Sequence, residues 1–237
     1  MPGDARFARA TRERLLSTAE RMFAERGVHA VSNRQICEAA GQGNNAAVGY
    51  HFGTKAELVR AIARLHSAPI DELRRRRLAA IGGDATLRDW IGCLVRPVVE
   101  HVAATGGPTW YGRFGAQMMT DPALRPIMVE ESLSSPALAR IVAGVHRCSP
   151  AMPAGVRAER GDMTRQLLVH VVAEHERALA EGSPPPRRGW PDVAAGLVDA
   201  LTGLWSAPVT TRESADQAGF RPEPAGRGGT APARPAG

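Results

Sequence analysis

Gln35-Ile36-Cys37-Glu38-Ala39-Ala40-Gly41 stands two residues before Asn44-Asn45-Ala46-Ala47-Val48-Gly49-Tyr50-His51-Phe52-Gly53-Thr54-Lys55 in this chain of 237 residues. The first segment carries apolar residues at helical spacing, and Gly41-Gln42-Gly43 predicts the turn that follows it. The second segment opens with asparagines, which can cap a helix, and then places Val48 and Phe52 on one helical face. The two segments therefore predict a helix-turn-helix, a motif whose second helix enters the major groove of DNA.

Helical patterns continue on both sides of this motif. An apolar face from Leu15 to Phe23 predicts a helix over about residues 9–26, which Gly27 ends, whereas residues 1–8 are expected to be a loose arm. Capping boxes at Ser32-Asn-Arg-Gln and Thr54-Lys-Ala-Glu predict where the second and fourth helices begin. Pro69 is expected to interrupt or kink the fourth helix.

The remainder of the chain is also expected to be helical. Apolar residues recur at helical spacing over 86–104, 109–119, 155–181 and 192–205, and Asp121-Pro122 predicts the start of a helical region that ends near Arg147. From 207 onward proline and glycine dominate without periodicity. We therefore predict an all-α protein with a helix-turn-helix domain at 9–66, a larger helical domain at 67–206 and a disordered tail at 207–237.

The charge of the chain favours an acidic partner. The net charge is +6 with a pI near 10.2, and residues 1–66 hold ten Arg or Lys against six Asp or Glu. No run of about 18 apolar residues predicts a membrane helix, and the N-terminus lacks the apolar core of a signal peptide. Three widely spaced cysteines favour reduced thiols over disulfides. These features together predict a cytoplasmic protein that binds double-stranded DNA.

Several residues of the motif have side chains suited to DNA. Asn44 and Asn45 open the second helix, and asparagine can pair with adenine through two hydrogen bonds, although capping is the alternative role. Ala46 and Ala47 are small enough to approach a thymine methyl group. Gly49 either softens the helix, by about 1 kcal/mol relative to alanine, or lets DNA come close. Two further residues, at the start of the preceding helix, could clamp the DNA backbone: Arg34 and Gln35.

A metal site is the alternative that the sequence leaves open. His170 and Glu174 lie four residues apart on one helical face, so a helical metal-binding protein or enzyme is the rival hypothesis. The spacing around these residues differs by one position from the inverted zincin pattern. No phosphate loop, Gly-x-Ser-x-Gly or paired-cysteine motif occurs. The chain is therefore not expected to be an enzyme or to carry a cofactor.

Large apolar groups in the second domain suggest a pocket, although each could simply fill a core. We predict a ligand pocket among the helices at 86–104, 109–119, 121–147 and 155–181. The run Arg74–Arg77 is expected to be a solvated helix face, with phosphate contact as the alternative. The residues predicted to line the pocket are Trp90, Trp110, Phe114, Met118 and His170.

The helix-turn-helix region resembles the tetracycline-repressor (TetR) family of bacterial transcriptional regulators. The resemblance is carried by Phe23…Gly27, Ile36…Ala39-Ala40-Gly41 and Val48–Leu58, and it covers residues 10–66. The chain departs from the common pattern by one extra residue in 41–43 and by Gly49, where most members have a tyrosine that contacts the DNA backbone. By resemblance, phosphate contacts are expected from Tyr50, His51, Thr54 and Lys55, although Tyr50 could instead pack inward.

The resemblance also implies a homodimeric repressor that a small molecule releases from its operator. The family pairs its last two helices into a four-helix bundle, which here would use about 155–181 and 191–206. The apolar stripe of the last helix looks too long for one subunit's core, and two glycines would allow close approach. The stripe and the glycines are Val193, Leu197, Leu201, Leu204, Gly196 and Gly203.

Overall fold

The computed structural model describes residues 2–106, 108–183 and 189–210, with side chains from Arg6 onward. These residues form ten α-helices and no strand, which confirms the predicted all-α class. None of these helices is long and apolar enough to cross a membrane. In chain order the helices are α1 Pro2–Arg26, α2 Asn33–Ala39, α3 Ala47–Phe52, α4 Lys55–Ala80, α5 Leu87–Ala103, α6 Tyr111–Thr120, α7 Arg125–Leu133, α8 Pro136–Cys148, α9 Ala154–Ala180 and α10 Trp190–Ser206.

Local hydrogen bonds set the two ends of α2. The predicted capping box is present, because the Ser32 hydroxyl accepts from the Gln35 amide and the Gln35 side chain accepts from the Ser32 amide. After the helix, Gly41 adopts φ +67° and the Gln42 amide donates to the Cys37 carbonyl at 2.9 Å. Glycine adopts this left-handed conformation without steric cost, so the chain can turn sharply toward α3.

One hydrophobic core joins α1–α4 to α6 and α7. Phe23, Ile36, Val48 and Ile62 are fully buried in it, and so is Phe114 of α6. The Phe23 and Phe114 rings stack with centroids 6.5 Å apart. Because burial of apolar surface is the main favourable term in folding, this shared core fixes α6 against the helix-turn-helix unit.

A second core joins α5, α8, α9 and α10. Its fully buried members include Ile91, Ile141 and Leu201. Trp90 lies over Gly144, where the missing side chain makes room for the indole ring. Packing at this density leaves little space for added atoms.

The beginning of the chain and the fourth helix differ from prediction. Residues 2–8 continue α1 instead of forming a loose arm, because Pro2 lies at the first helical position, where its fixed φ suits a helix. Helix α4 runs from Lys55 to Ala80 and is not interrupted at Pro69. Pro69 is exposed, and the buried side of α4 packs on neighbouring helices, which keeps the helix together despite one missing hydrogen bond.

The region after α6 also differs from prediction. Asp121 starts a turn rather than a helix, because its carboxylate accepts from the Ala123 and Leu124 amides at 2.8 and 3.2 Å. Pro126 and Pro136 do not bend one long helix. Each lies in the first turn of a separate short helix, α7 or α8, where the missing amide is harmless.

The apolar stripe of α10 is placed differently from the prediction. Val193, Leu197 and Leu201 of α10 are no more than 3% exposed, because they pack into the core of their own subunit. Leu204 is partly buried against the same core. The predicted stripe is therefore not too long for one subunit.

The domain limit placed between residues 66 and 67 falls inside α4. Residues 184–188, and residues 211–237 of the predicted tail, lie outside the described part of the chain.

We predict that Gly144→Ala destabilises the protein by about 1–3 kcal/mol, because the added methyl group would overlap the buried Trp90 ring. Chemical denaturation measures this change. Gly155→Ala is the matched control, since its methyl group meets no atom within 4 Å and should leave stability unchanged or slightly higher. Equal effects of the two substitutions would contradict the proposed packing.

Candidate nucleic-acid interface and internal cavity

Helix α3 has one buried and one exposed side. Val48 and Phe52 pack into the core, whereas Tyr50 is 84% exposed and Gly49 is also exposed. The alternative that Tyr50 packs inward is therefore wrong. Ala47 is only 8% exposed and belongs to the core, so the prediction that its side chain approaches a base is corrected.

The loop before α3 extends this exposed side. Asn44, Asn45 and Ala46 are all exposed. The Asn44 side chain accepts from the Ala46 amide at 2.9 Å, so it shapes the turn, whereas Ala46 is the N-cap residue and gives no side-chain cap. Asn45 makes no side-chain hydrogen bond within the described residues and stays available for an outside partner.

Polar groups flank this loop and helix. Arg34 is exposed and pairs with Glu38 at 2.7 Å, which raises the pKa of its guanidinium. Such a surface pair contributes little stability, so Arg34 can exchange Glu38 for a phosphate. The side chains of Gln35 and Thr54 act as helix caps, and His51 packs its ring edge-on to Tyr50 at 5.1 Å.

Lys55 has a structural role that the sequence did not suggest. Its ammonium group donates to the carbonyls of Val28 and Val31 at 3.0 and 2.6 Å. These bonds hold the connection between α1 and α2 against the start of α4. The expected phosphate contact therefore competes with two hydrogen bonds inside the domain.

We predict that Lys55→Met lowers the free energy of unfolding by about 1–3 kcal/mol, because two carbonyls lose a charged donor. Urea denaturation of the purified protein measures this loss. Arg34→Met, which removes an exposed cation of the same domain, should leave stability nearly unchanged. A Lys55→Met protein with normal stability and a reduced salt dependence of DNA binding would restore the phosphate role.

A cavity of ≈ 460 Å³ lies among the helices for which the sequence predicted a pocket. This volume falls within the range of about 300–1,000 Å³ usual for small-molecule sites. The lining is mostly apolar and comes from α5–α10, with Arg74 contributed by α4. The apolar lining includes Leu94, Val98, Met119, Met128, Val129, Leu133, Leu138, Val142, Val145, Leu168, Val169, Val172 and Trp205.

None of the five residues predicted to line a pocket borders this cavity. Phe114 and Met118 are buried in the core shared with α1, and Trp90 is buried over Gly144. Trp110 is half-buried beneath the Arg113 guanidinium, and His170 is exposed on α9. Core and pocket both favour large apolar groups, so spacing alone did not tell which side of each helix faces the cavity.

Helix α6 presents its two sides to different parts of the molecule. Gly112, Gly115 and Met119 border the cavity, whereas Phe114 and Met118 pack with the helix-turn-helix core. Small residues on the cavity side let α6 approach α9 closely. The helix therefore touches both the cavity and the helix-turn-helix unit.

Glu176 of α9 holds the beginning of α6. Its buried carboxylate accepts from the Thr109 hydroxyl at 2.6 Å and from the Gly112 and Arg113 amides at 3.1 and 2.9 Å. Burial raises the pKa of Glu176, although these hydrogen bonds act in the opposite direction. The sequence pattern of this helix did not indicate this role for Glu176.

A buried polar chain links α1 to α5. His66 Nε2 lies 3.0 Å from Glu20 Oε1, and His66 Nδ1 lies 2.8 Å from His101 Nε2. The Tyr111 ring stacks on His66 with centroids 4.3 Å apart. Burial, with the neighbouring His66, lowers the pKa of His101 to about 4. These contacts connect the first helix to the cavity-lining helix α6.

The run of four arginines is divided by the fold. Arg75 and Arg76 are exposed and pair with Glu72 at 2.6 and 3.0 Å, and Arg77 pairs with Glu100. Arg74 is only 9% exposed and borders the cavity. The expected solvated face describes Arg75 and Arg76 but not Arg74.

The rival metal hypothesis receives no support from the geometry. His170 and Glu174 are both exposed on α9. Among the described residues, no three or more His, Cys, Asp or Glu side chains form a group that could hold a metal ion.

The fold and the exposed side of α3 define a helix-turn-helix DNA-binding protein. Residues 15–62 match the family described as bacterial regulatory proteins, tetR family. This match confirms, for the helix-turn-helix region, the resemblance seen in the sequence, and it supports a DNA-binding regulator with an all-helical fold.

Solved structures with the same fold cover most of the chain. A protein assigned to the tetR family of transcription regulators, from Shewanella sp. PV-4, is 16% identical with a TM-score of 0.55, and the match covers 82% of this chain and 96% of that one. AmtR from Mycobacterium smegmatis is 20% identical with a TM-score of 0.50, over 89% and 95% of the two chains. A comparison with curated proteins gave no match.

Proposed function

We propose that the chain is a homodimeric, cytoplasmic transcriptional repressor that a small molecule in the ≈ 460 Å³ cavity releases from DNA. The observation that carries this proposal is the position of α6. One side of the helix borders the cavity, and the other side is packed into the core of the helix-turn-helix domain.

This arrangement offers a direct route for regulation. A ligand that touches Gly112, Gly115 or Met119 acts on the same rigid helix that carries Phe114 and Met118. Closely packed cores respond to such contacts by moving between discrete arrangements. The ligand must bind the released arrangement more tightly than the DNA-bound one, because equal affinity shifts nothing.

The proposed dimer uses the outer sides of α9 and α10. Met163 is 43% exposed and Leu179 is 50% exposed on α9, while Ala200 and Gly203 are exposed on α10. A stable interface of this kind buries at least about 1,000 Å². The small side chains of α10 permit a partner helix to come close.

We predict a twofold-symmetric footprint on the operator, with half-sites separated by about 34 Å or a multiple of it.

Asn45→Ala should relax the preference at one base position by about 1–3 kcal/mol, because an adenine contact is lost. Tyr50→Phe should instead weaken binding to all sequences alike, because phosphate contacts carry no sequence information. Gel-shift titrations of an operator selected from genomic fragments measure both effects.

Gln117→Ala, an exposed amide of α6, is the control and should bind the operator as the unmodified protein does. An asymmetric footprint from a monomer, or Asn45→Ala with unchanged base preference, would reject the proposed recognition.

We predict that Gly203→Glu gives folded monomers, because a Cβ at this position meets no neighbouring atom within 4 Å, whereas the added carboxylate places a charge in the proposed dimer interface. Sedimentation velocity reports the association state, and circular dichroism reports folding. Gly83→Glu is the control, because a Cβ at this position also meets no atom within 4 Å and Gly83 lies outside α9 and α10. This variant should leave the dimer intact. Dimers of unchanged stability in Gly203→Glu would move the interface elsewhere.

A further inference from the structure

We propose that the molecule taken by the cavity is apolar and carries one carboxylate, with the Arg74 guanidinium as its binding group and the Tyr111 hydroxyl as a second donor. The inference rests on the proposed function of this cavity as the effector site. It names the chemical class of the effector, which neither the fold nor the helix-turn-helix indicates.

Arg74 is a buried cation without an acidic partner. It is 9% exposed, and no carboxylate of the described residues lies within 4.0 Å of its guanidinium. Its Nε atom is fully buried and has no hydrogen-bond acceptor there. A buried charge is costly unless it is paired, so such a group at a cavity wall is suited to an anion from outside the chain.

The other charges at the cavity are already paired with one another. Asp162 accepts from Arg165 at 2.6 Å and lies 3.5 Å from Arg125. Asp71, the acidic residue whose charge acts on Arg74, is held by the Ser135 hydroxyl and by Arg75 at 3.4 Å. Among the described charges at the cavity, Arg74 therefore lacks a direct counter-ion, which favours a ligand with a negative charge.

Tyr111 supplies a donor on the same wall. Burial raises the pKa of its hydroxyl to about 12, despite the opposing effect of the nearby Arg74 charge. The hydroxyl therefore keeps its proton at neutral pH. A guanidinium and a protonated phenol can both donate to the oxygens of a carboxylate, whereas the guanidinium repels an ammonium group and offers it no acceptor.

The rest of the cavity fits an apolar body. Leu94, Val98 and Leu168 border it, and Leu133 and Val142 extend the apolar lining to the surface with exposures of 71% and 37%. His146 does not supply a second charge, because burial lowers the pKa of its ring. An apolar acid thus satisfies both the lining and the buried cation.

Matched ligands test the charge preference on the unmodified protein. Isothermal titration calorimetry at pH 7.5 compares octanoate with 1-octanol and octylamine, and 1-naphthoate with 1-naphthamide. At least one carboxylate should bind about tenfold to hundredfold more tightly than its neutral counterpart, as expected for hydrogen bonds to a charged group. Octylamine should bind more weakly than octanol. If neither carboxylate exceeds its neutral counterpart, the proposal is overturned.

Arg74→Met tests the residue itself. It should abolish the preference for the carboxylate, leave the affinity for the neutral ligand nearly unchanged, and raise the melting temperature of the ligand-free protein. A purely structural arginine would give a lower melting temperature, with the ligand preference retained. Arg76→Met is the matched control, because this exposed neighbour pairs with Glu72 and should change neither quantity.

Tyr111→Phe should reduce the carboxylate preference by a smaller factor than Arg74→Met. If Arg74→Met does not fold, the comparison of ligands on the unmodified protein decides the proposal. Operator binding with and without the preferred carboxylate separates this inference from the proposed function. If a carboxylate binds selectively but does not release the protein from DNA, only the effector role is refuted. If the protein binds DNA but shows no preference for carboxylates, only the ligand class is refuted.

Discussion

The close approach of α6 to α9 is the contact on which the arrangement of this molecule depends. A side chain at Gly112 would overlap Val172 and press on the backbone of Ala173, so only glycine allows the two helices to meet. Glu176 then accepts two hydrogen bonds from the first turn of α6 and a third from Thr109, just before the helix. Held in this way from α9, the helix places Phe114 against Phe23 of α1. The cavity and the helix-turn-helix unit thus share one wall.

The charged groups inside the molecule differ in whether the chain itself supplies their partners. Buried Glu176 accepts from three donors, and the half-buried Lys55 ammonium donates to two carbonyls. In both cases hydrogen bonds offset the free-energy cost of removing the charged group from water. Arg74 differs, because it is buried at the cavity without a carboxylate within ion-pair distance among the described residues. An unbalanced charge of this kind is tolerated when function requires it.

The proposed DNA-facing side of the helix-turn-helix is the exposed part of α3 and its preceding loop, which does not pack into the core. Val48 and Phe52 fix the helix from behind, and the Gly41 turn fixes its distance from α2. Asn45 and Tyr50 are left exposed. Because the buried residues hold the position of the helix, substitutions of the exposed ones are expected to alter DNA binding rather than folding.

The sequence by itself determined the helical class, most helix limits and the helix-turn-helix, because caps, turns and helical periodicity are local signals. It predicted the capping box at Ser32 and the helices at 86–104 and 155–181 closely. Tertiary structure decided which side of each helix meets which neighbour. It turned Phe114 and Met118 toward α1, buried the α10 stripe within its own subunit and directed Lys55 to two backbone carbonyls. It also separated Arg74 from the three arginines that follow it, because burial depends on contacts between residues far apart in the chain and periodicity does not record them.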